Sequence, residues 1–482
     1  MSIQRLVLVS VVWWVGAPCA AAESTPASTP LPKVRVVANT ARFETADAKP
    51  FVPIGVNYYR PGTGWAPQLW KKFDAAATRQ DFARMKELGV NCVRVFLTYG
   101  SFFLEEQTLT PDGLGKFDQL LEIAEAAGIY VHPTGPDHWE GLPAWATADR
   151  YADERVLQAL ENFWKLFAQR YRGRQVIWAY DLLNEPQVPW DTLALRTKWN
   201  SWLTQQYGSA DKTAEAWHVK PEGLTWGNQP PPPAQDAPGD RRLLDYQHFR
   251  EEVADHWTRR QVAAIKSADP AALVTVGLIQ WSVPALLPGA QHYAGFRPER
   301  LARLLDFQEI HFYPLATGFF NYLQPEDEQQ NLAYLESVIR EVAKTGQPVV
   351  VAEFGWYGGG QLTIDGGRHP EASEEHQARW CRRAIETTQG LATGWLNWGF
   401  FDQPEARDVS QLTGLLKADG KPKAWAREFQ QIARRLAADG LPRTDLGPRP
   451  TLDWDPCLTS VEARRQFREA YFEAFRNRPA LK

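Results

Sequence analysis

Eight times along the 482-residue chain, a short apolar run is followed by an amphipathic stretch of helical period, and this alternation constrains the fold more than any other feature. FVPIGVNY (51–58) leads to a helix over 77–89 that closes on Gly89, CVRVFL (92–97) leads to 116–128, and IYVHPTG (129–135) leads to 154–173. VIWAYDLLNEP (176–186) is followed, after an interruption, by 241–269. LVTVGL (273–278) precedes 297–306, EIHFYPL (309–315) precedes 331–346, PVVVAEFGW (348–356) precedes 374–390, and GWLNWGF (394–400) precedes 423–436. Continuous apolar strands set between helices form a parallel sheet covered on both faces. Eight such units in order predict an α/β chain closed as a (β/α)8 barrel rather than an open, doubly wound sheet. No glycine-rich phosphate fingerprint follows the first strand, which argues against a dinucleotide-binding fold.

Two segments fall outside the repeat. Residues 187–240 interrupt the fourth unit, and an excursion on the C-terminal side of a strand is expected to stand over the barrel mouth. Residues 437–482, with a last amphipathic helix over 460–476, read as a short extension packed on a barrel domain spanning 33–436. At the other end, Arg5, the apolar run LVLVSVVWWVG (6–16) and the small residues before Glu23 read as a signal peptide over 1–22. Residues 23–32 form a Pro/Ser/Thr-rich leader. The apolar run is too short to span a bilayer, so the expectation is a secreted or periplasmic protein with no membrane association after cleavage. Cys92, Cys381 and Cys457 then remain, enough for one disulfide at most, and whether Cys381 and Cys457 pair is open. A net charge of −4 with mixed signs gives no footprint for nucleic acid. A monomer is expected.

In a barrel of this kind, polar residues at the C-terminal strand ends carry the chemistry. The fourth strand ends in Asn184-Glu185-Pro186 and the seventh in Glu353. Two glutamates facing each other across the mouth are what a glycosidic bond requires: one carboxylic acid to protonate the leaving oxygen, one carboxylate to attack or to direct water. Arg94 on the second strand would keep a neighbouring carboxylate ionised. His311 and Tyr313 alternate on the sixth strand and share one side of it, Trp398 ends the eighth, and Asn57 and Tyr58 close the first. His132 lies within the third strand and His138 follows it, past the strand end; which of the two lines the site is open at this point. Tryptophan is abundant, 21 in all, and Trp65, Trp139, Trp190 and Trp281 in loops on this side are candidate sugar platforms. No histidine pair has a third spaced ligand of the usual kind, so neither metal nor cofactor is expected.

This set resembles glycoside hydrolase family 5, the cellulase and mannanase family of retaining (β/α)8 enzymes, over about residues 45–435. The resemblance implies Glu185 as acid/base and Glu353 as nucleophile, Asn184 on the sugar 2-hydroxyl and Tyr313 orienting the nucleophile, with Arg94, His138, His311 and Trp398 in support. The segment WLTQQYGSADKTAEAW (202–217) is similar to part of family 42 β-galactosidases, which share the barrel and the two glutamates. The implied activity is hydrolysis of a β-linked polysaccharide, β-1,4-mannan or β-1,4-glucan. An exo-acting β-glycosidase or β-galactosidase on oligosaccharides is the alternative, and a catalytically silent carbohydrate-binding barrel is the reading from another class.

Overall fold

A computed structural model of the chain describes residues 30–38, 40–63, 66–147, 149–314, 325–364, 369–442 and 446–477. The leader assigned to 1–22 and the candidate platform Trp65 lie outside the described residues. Eight parallel strands close on themselves: β1 (Ile54–Asn57), β2 (Cys92–Thr98), β3 (Tyr130–Asp137), β4 (Tyr180–Asn184), β5 (Val274–Leu278), β6 (Gln308–Phe312), β7 (Val349–Phe354) and β8 (Gly394–Asn397). The barrel expected from the eightfold alternation is therefore present. Every residue of these strands is buried, because helices cover the outside and side chains fill the inside.

The helices begin where the sequence offers a cap. Asp74 accepts from the Ala77 amide at the start of Ala75–Glu87, Asp153 caps Glu154–Tyr171, and Asp240 caps the 28-residue helix Arg241–Ala268. Pro111–Ala127 ends on Gly128, whose φ of 74° is readily adopted only without a Cβ. Two expected elements are shorter than their apolar pattern. The 51–58 run splits at Pro53: Pro50–Phe51 pairs with Phe43–Thr45 in a three-stranded antiparallel sheet, and only Ile54–Asn57 enters the barrel. Phe43 and Phe51 from that sheet pack edge-on against Trp178, with Phe307 and Tyr130 alongside, and plug the N-terminal end of the barrel. The helix expected over 297–306 is a single turn, Pro298–Leu301.

The helices of the 187–240 segment pack on the helix that follows it. These helices, Leu193–Tyr207 and Ala210–Trp217, bury Leu195, Trp199, Leu203 and Trp217. Trp199 stacks on Trp202 and Trp217 and meets Tyr246 and Phe249 of the helix Arg241–Ala268. The apolar faces thus dock on the first turns of that helix, where large aromatic area is buried. The segment's return loop joins the C-terminal extension through the Arg464–Asp236 ion pair and the Ala237 amide on the Thr459 carbonyl. The extension's final helix, Val461–Arg476, packs on Pro325–Ala343, with the Tyr471 hydroxyl donating to Glu336. Cys92, Cys381 and Cys457 are buried and free, so Cys381 and Cys457 do not pair. Among the described residues no helix is long and apolar enough to cross a membrane.

Candidate active site

The parallel register brings the polar strand residues together inside the barrel. Asn57 pairs with Arg94, Arg94 with His132, Thr134 with Asp181, Asn184 with Gly277, and His311 with Glu353. Arg94 is fully buried at the centre of this set. Its Nη1 donates to Glu353 Oε1 at 2.7 Å and to Asn57 Oδ1 at 3.0 Å, and its Nη2 donates to Asp181 Oδ2 at 2.7 Å and Asn184 Oδ1 at 2.9 Å. Glu309 Oε1 lies 3.6 Å from its Nε. A planar fork with five donors can serve this many acceptors at once, which an ammonium cannot. Burial alone would lower the guanidinium's affinity for its proton, but Asp181, Glu353 and Glu309 raise it, so Arg94 stays charged.

Room for the guanidinium depends on Gly277. A Cβ there would stand 2.8 Å from Asp181 Oδ2 and 2.9 Å from Arg94 Nη2, closer than real side chains approach.

Glu185 leaves the strand through a sharp backbone turn. Its φ is +45°, in the left-handed region that few non-glycine residues occupy, and its amide donates to the Gly277 carbonyl at 2.7 Å. Pro186 then ends the pairing. The turn lifts the carboxyl into the cleft, where the side chain keeps 28% exposure. Glu353 lies deeper, held from both oxygens: Arg94 donates to Oε1, and the Tyr313 hydroxyl donates to Oε2 at 2.8 Å. His311 Nδ1 stands between the two carboxylates, 3.2 Å from Glu185 Oε1 and 3.5 Å from Glu353 Oε1. An oxygen of each glutamate lies within 4.8 Å of the other's.

Electrostatics separate the pair. Burial pushes the Glu185 carboxyl up to about 7; Arg94 opposes this weakly and the charge of Asp137 adds to it. Burial also pushes Glu353 up, but His311, Arg94 and the Tyr313 hydrogen bond all pull it back. Burial outweighs Arg94 and Tyr313, the partners expected to favour the ionised form, so the Glu353 carboxyl lies above the ordinary glutamate value. The two differ in their partners: Arg94 and the Tyr313 hydroxyl hold the Glu353 carboxylate, whereas among the described residues the Glu185 carboxyl is hydrogen-bonded only to His311. Burial lowers the basicity of His311 against the opposing pull of the Glu353 carboxylate, and the Arg94 charge adds to the lowering.

Around the pair, Trp139, Gln280, Trp281, Tyr313, Trp398 and Asp408 line a cleft of about 320 Å³. Trp398 is fixed by its Nε1 hydrogen bond to the Ser410 hydroxyl at 2.7 Å. Gln280 is fixed by the Tyr313 amide, which donates to its Oε1. Arg94, Asn184, Glu185, His311, Tyr313, Glu353 and Trp398 therefore converge as the sequence suggested. His138 does not. It is half-exposed in a neighbouring cavity, bonded to Asp137 at 3.2 Å, while the next residue, Trp139, faces the glutamates. His132 is no substitute, being sealed in the barrel interior against Glu309 at 3.1 Å and the Ala179 carbonyl. Trp190 also misses the cleft; it packs on Tyr246 and under Arg250. The sequence reading missed Asp181 and Glu309. Their signal was an acidic residue inside an apolar strand, a placement that demands a buried cation.

Two trios, Glu185–His311–Glu353 and His132–Asp181–Glu309, have donor atoms close enough to share an ion. In each, Arg94 already pairs with at least one carboxylate and supplies the positive charge a metal would.

The family model described as cellulase (glycosyl hydrolase family 5) matches residues 46–402. The chain belongs to glycoside hydrolase family 5. Against this family-5 chain, the β-xylosidase of Phanerodontia chrysosporium is 28% identical over 144 residues, 28% of this chain and 29% of that protein. The matched part thus spans less than a third of the length of the curated relatives. Among solved structures, a GH5_18 protein from Streptomyces cattleya in complex with Manβ1-4GlcNAc superposes with a TM-score of 0.60 at 19% identity, covering 88% of this chain and 93% of that one. A β-galactosidase from the psychrophilic Marinomonas ef1 gives a TM-score of 0.63 at 16% identity, covering 88% and 67%. At these identities the structural likeness is one of fold.

Proposed function

We propose that this family-5 protein is a retaining β-glycosidase that cleaves short β-linked oligosaccharides, β-mannosides foremost, by double displacement. One observation carries the reading: two glutamates on opposite strands, with oxygens within 4.8 Å and unequal support. Retaining enzymes place the carboxyl groups about 5–5.5 Å apart, whereas inverting enzymes need roughly 6.5–9.5 Å so that a water fits beneath the sugar. Glu353, pinned by Arg94 and Tyr313, attacks the anomeric carbon, and Glu185 gives its proton to the leaving oxygen. Water then enters with Glu185 as base and displaces Glu353. The mannoside preference draws support from the disaccharide held by the Streptomyces cattleya protein. A cleft of about 320 Å³ is at the small end for ligand sites, which favours short substrates over an extended polysaccharide. A β-galactoside is the second reading, supported by the Marinomonas likeness. Export through the 1–22 leader belongs to the same proposal.

The test is a panel of aryl β-glycosides and β-1,4-linked oligosaccharides, with the first-formed anomer followed by NMR. Turnover with retained configuration is expected, fastest on mannosides. A first product of inverted configuration overturns the mechanism, and no turnover on any substrate overturns the activity.

The pH profile should carry the signature of Glu185. It must be protonated for the first step, and its carboxyl is pushed up to about 7. The value of kcat/KM should therefore decline above about pH 7, approaching a tenfold loss per unit. A profile still flat at pH 9 would remove Glu185 from the acid role.

A further inference from the structure

Beside the catalytic cleft lies a second cavity of about 270 Å³ that the two-glutamate chemistry does not use. The two share a wall. Trp139 and Asn184-Glu185 line the first, His138 and Gln187 line the second, and the rings of His138 and Trp139 are 5.4 Å apart. The second cavity therefore opens along the strand end that carries Glu185. The acid/base carboxyl stands on the leaving-group side of the bond it cleaves, because it protonates the departing oxygen. We infer that this cavity is a saccharide subsite for the leaving part of the substrate, with Arg150 as its main hydrogen-bond donor. The inference rests on the glycosidase reading and deepens it.

Three features support it. The guanidinium of Arg150 lines the cavity, and its Nη1 is buried without a hydrogen-bond partner. Arg150 as a whole is only part-buried, so the rest of its guanidinium fork, beyond the sealed Nη1, is open for donation to a ligand oxygen in the cavity. The lining is amphipathic: Tyr99, His138, Gln187 and Arg150 are polar, whereas Leu142 and Pro189 are apolar. This matches the polar edge and apolar face of a pyranose ring. The walls are also set in advance. Asp149 accepts from the Tyr151 amide at 2.8 Å and the Thr192 hydroxyl at 2.7 Å, the Tyr151 hydroxyl accepts from the Gln187 amide at 3.1 Å, and Tyr99 stacks on Phe103.

Charge selects the ligand class. The one arginine is matched by Asp149 in the lining and by Asp137, which lies behind His138 with its Oδ2 also buried and unpartnered. One guanidinium against two carboxylates leaves no net positive charge to hold an anion, which suits a neutral sugar hydroxyl rather than a carboxylate or phosphate. Gln187 and Pro189, the first residues of the 187–240 segment, are thus where that segment meets the substrate.

The test compares an aryl β-mannoside with β-1,4-mannotriose and mannotetraose, for the parent protein and for Arg150→Met and Leu142→Trp. The tryptophan variant fills the cavity from a half-exposed position and leaves the arginine in place. For both variants the ratio of kcat/KM on tetraose to kcat/KM on aryl mannoside should fall by about 10- to 100-fold, the worth of a hydrogen bond to a charged donor. Calorimetry on Glu353→Ala protein should show tetraose binding more tightly than mannobiose, and Arg150→Met in that background should erase the gain. An unchanged ratio in both variants, or a length-dependent affinity that survives Arg150→Met, overturns the subsite. Absence of turnover on every substrate would instead count against the glycosidase reading, and the calorimetric comparison would still decide the subsite.

Discussion

Glu353→Ala should lose turnover by a factor on the order of 10⁴ or more, the scale of removing a nucleophile whose partners act as a unit. Arg94 and the Tyr313 hydroxyl both aim at the Glu353 carboxylate itself. Glu185→Ala should behave differently. The departing group of an activated aryl glycoside needs little protonation, so formation of the glycosyl-enzyme persists while its hydrolysis stalls for want of a base. A burst of one equivalent of phenol per enzyme followed by slow turnover is expected. Added azide, small and already anionic, should restore the second step and give a glycosyl azide of retained configuration. If the two variants are equally inactive on activated substrates and azide restores neither, the assignment of separate roles fails.

Arg94→Met should have the largest effect on the fold. Removing one partner of a buried ion pair leaves uncompensated charge and costs about 3–5 kcal/mol, and here one guanidinium serves Asp181, Glu309 and Glu353 together. Burial already pushes Glu353 up, and without Arg94 it rises further. A carboxyl whose folded pKa exceeds its unfolded value weakens the fold as pH rises through the unfolded carboxylate range, about pH 4. The deficit of the variant relative to the parent should therefore be smaller near pH 4 than at pH 7. Denaturant midpoints at the two pH values measure this, and a variant as stable as the parent at neutral pH would show that the network is not held by Arg94. Arg94→Lys should recover only part of the loss, because one ammonium cannot reach the opposed acceptors Asn57, Asn184 and Asp181.

The residues that converge were legible wherever a polar side chain ended an apolar strand. Asn184, Glu185 and Glu353 stood out on that pattern, and the period-two alternation put His311 and Tyr313 on one side of β6. The third strand shows where this reasoning stops. Its last residues run Asp137-His138-Trp139 past the strand, where alternation no longer dictates direction. The chain there turns so that Trp139, not His138, faces the glutamates. The packing of the 187–240 segment was hidden for a related reason. Its length and position were visible, but the partner for its tryptophans, the helix carrying Tyr246 and Phe249, is a tertiary fact.

The sequence by itself determined the barrel, the family resemblance and the two glutamates, because local periodicity and strand-end chemistry are written within a few neighbouring residues. Tertiary structure alone decided the electrostatics. Arg94 is shared among acidic residues from three other strands, and Glu185 rises to about 7 only because closure of the barrel removes water from it. Desolvation and charge pairing depend on atoms far apart in the chain, so they exist only once the strands have met.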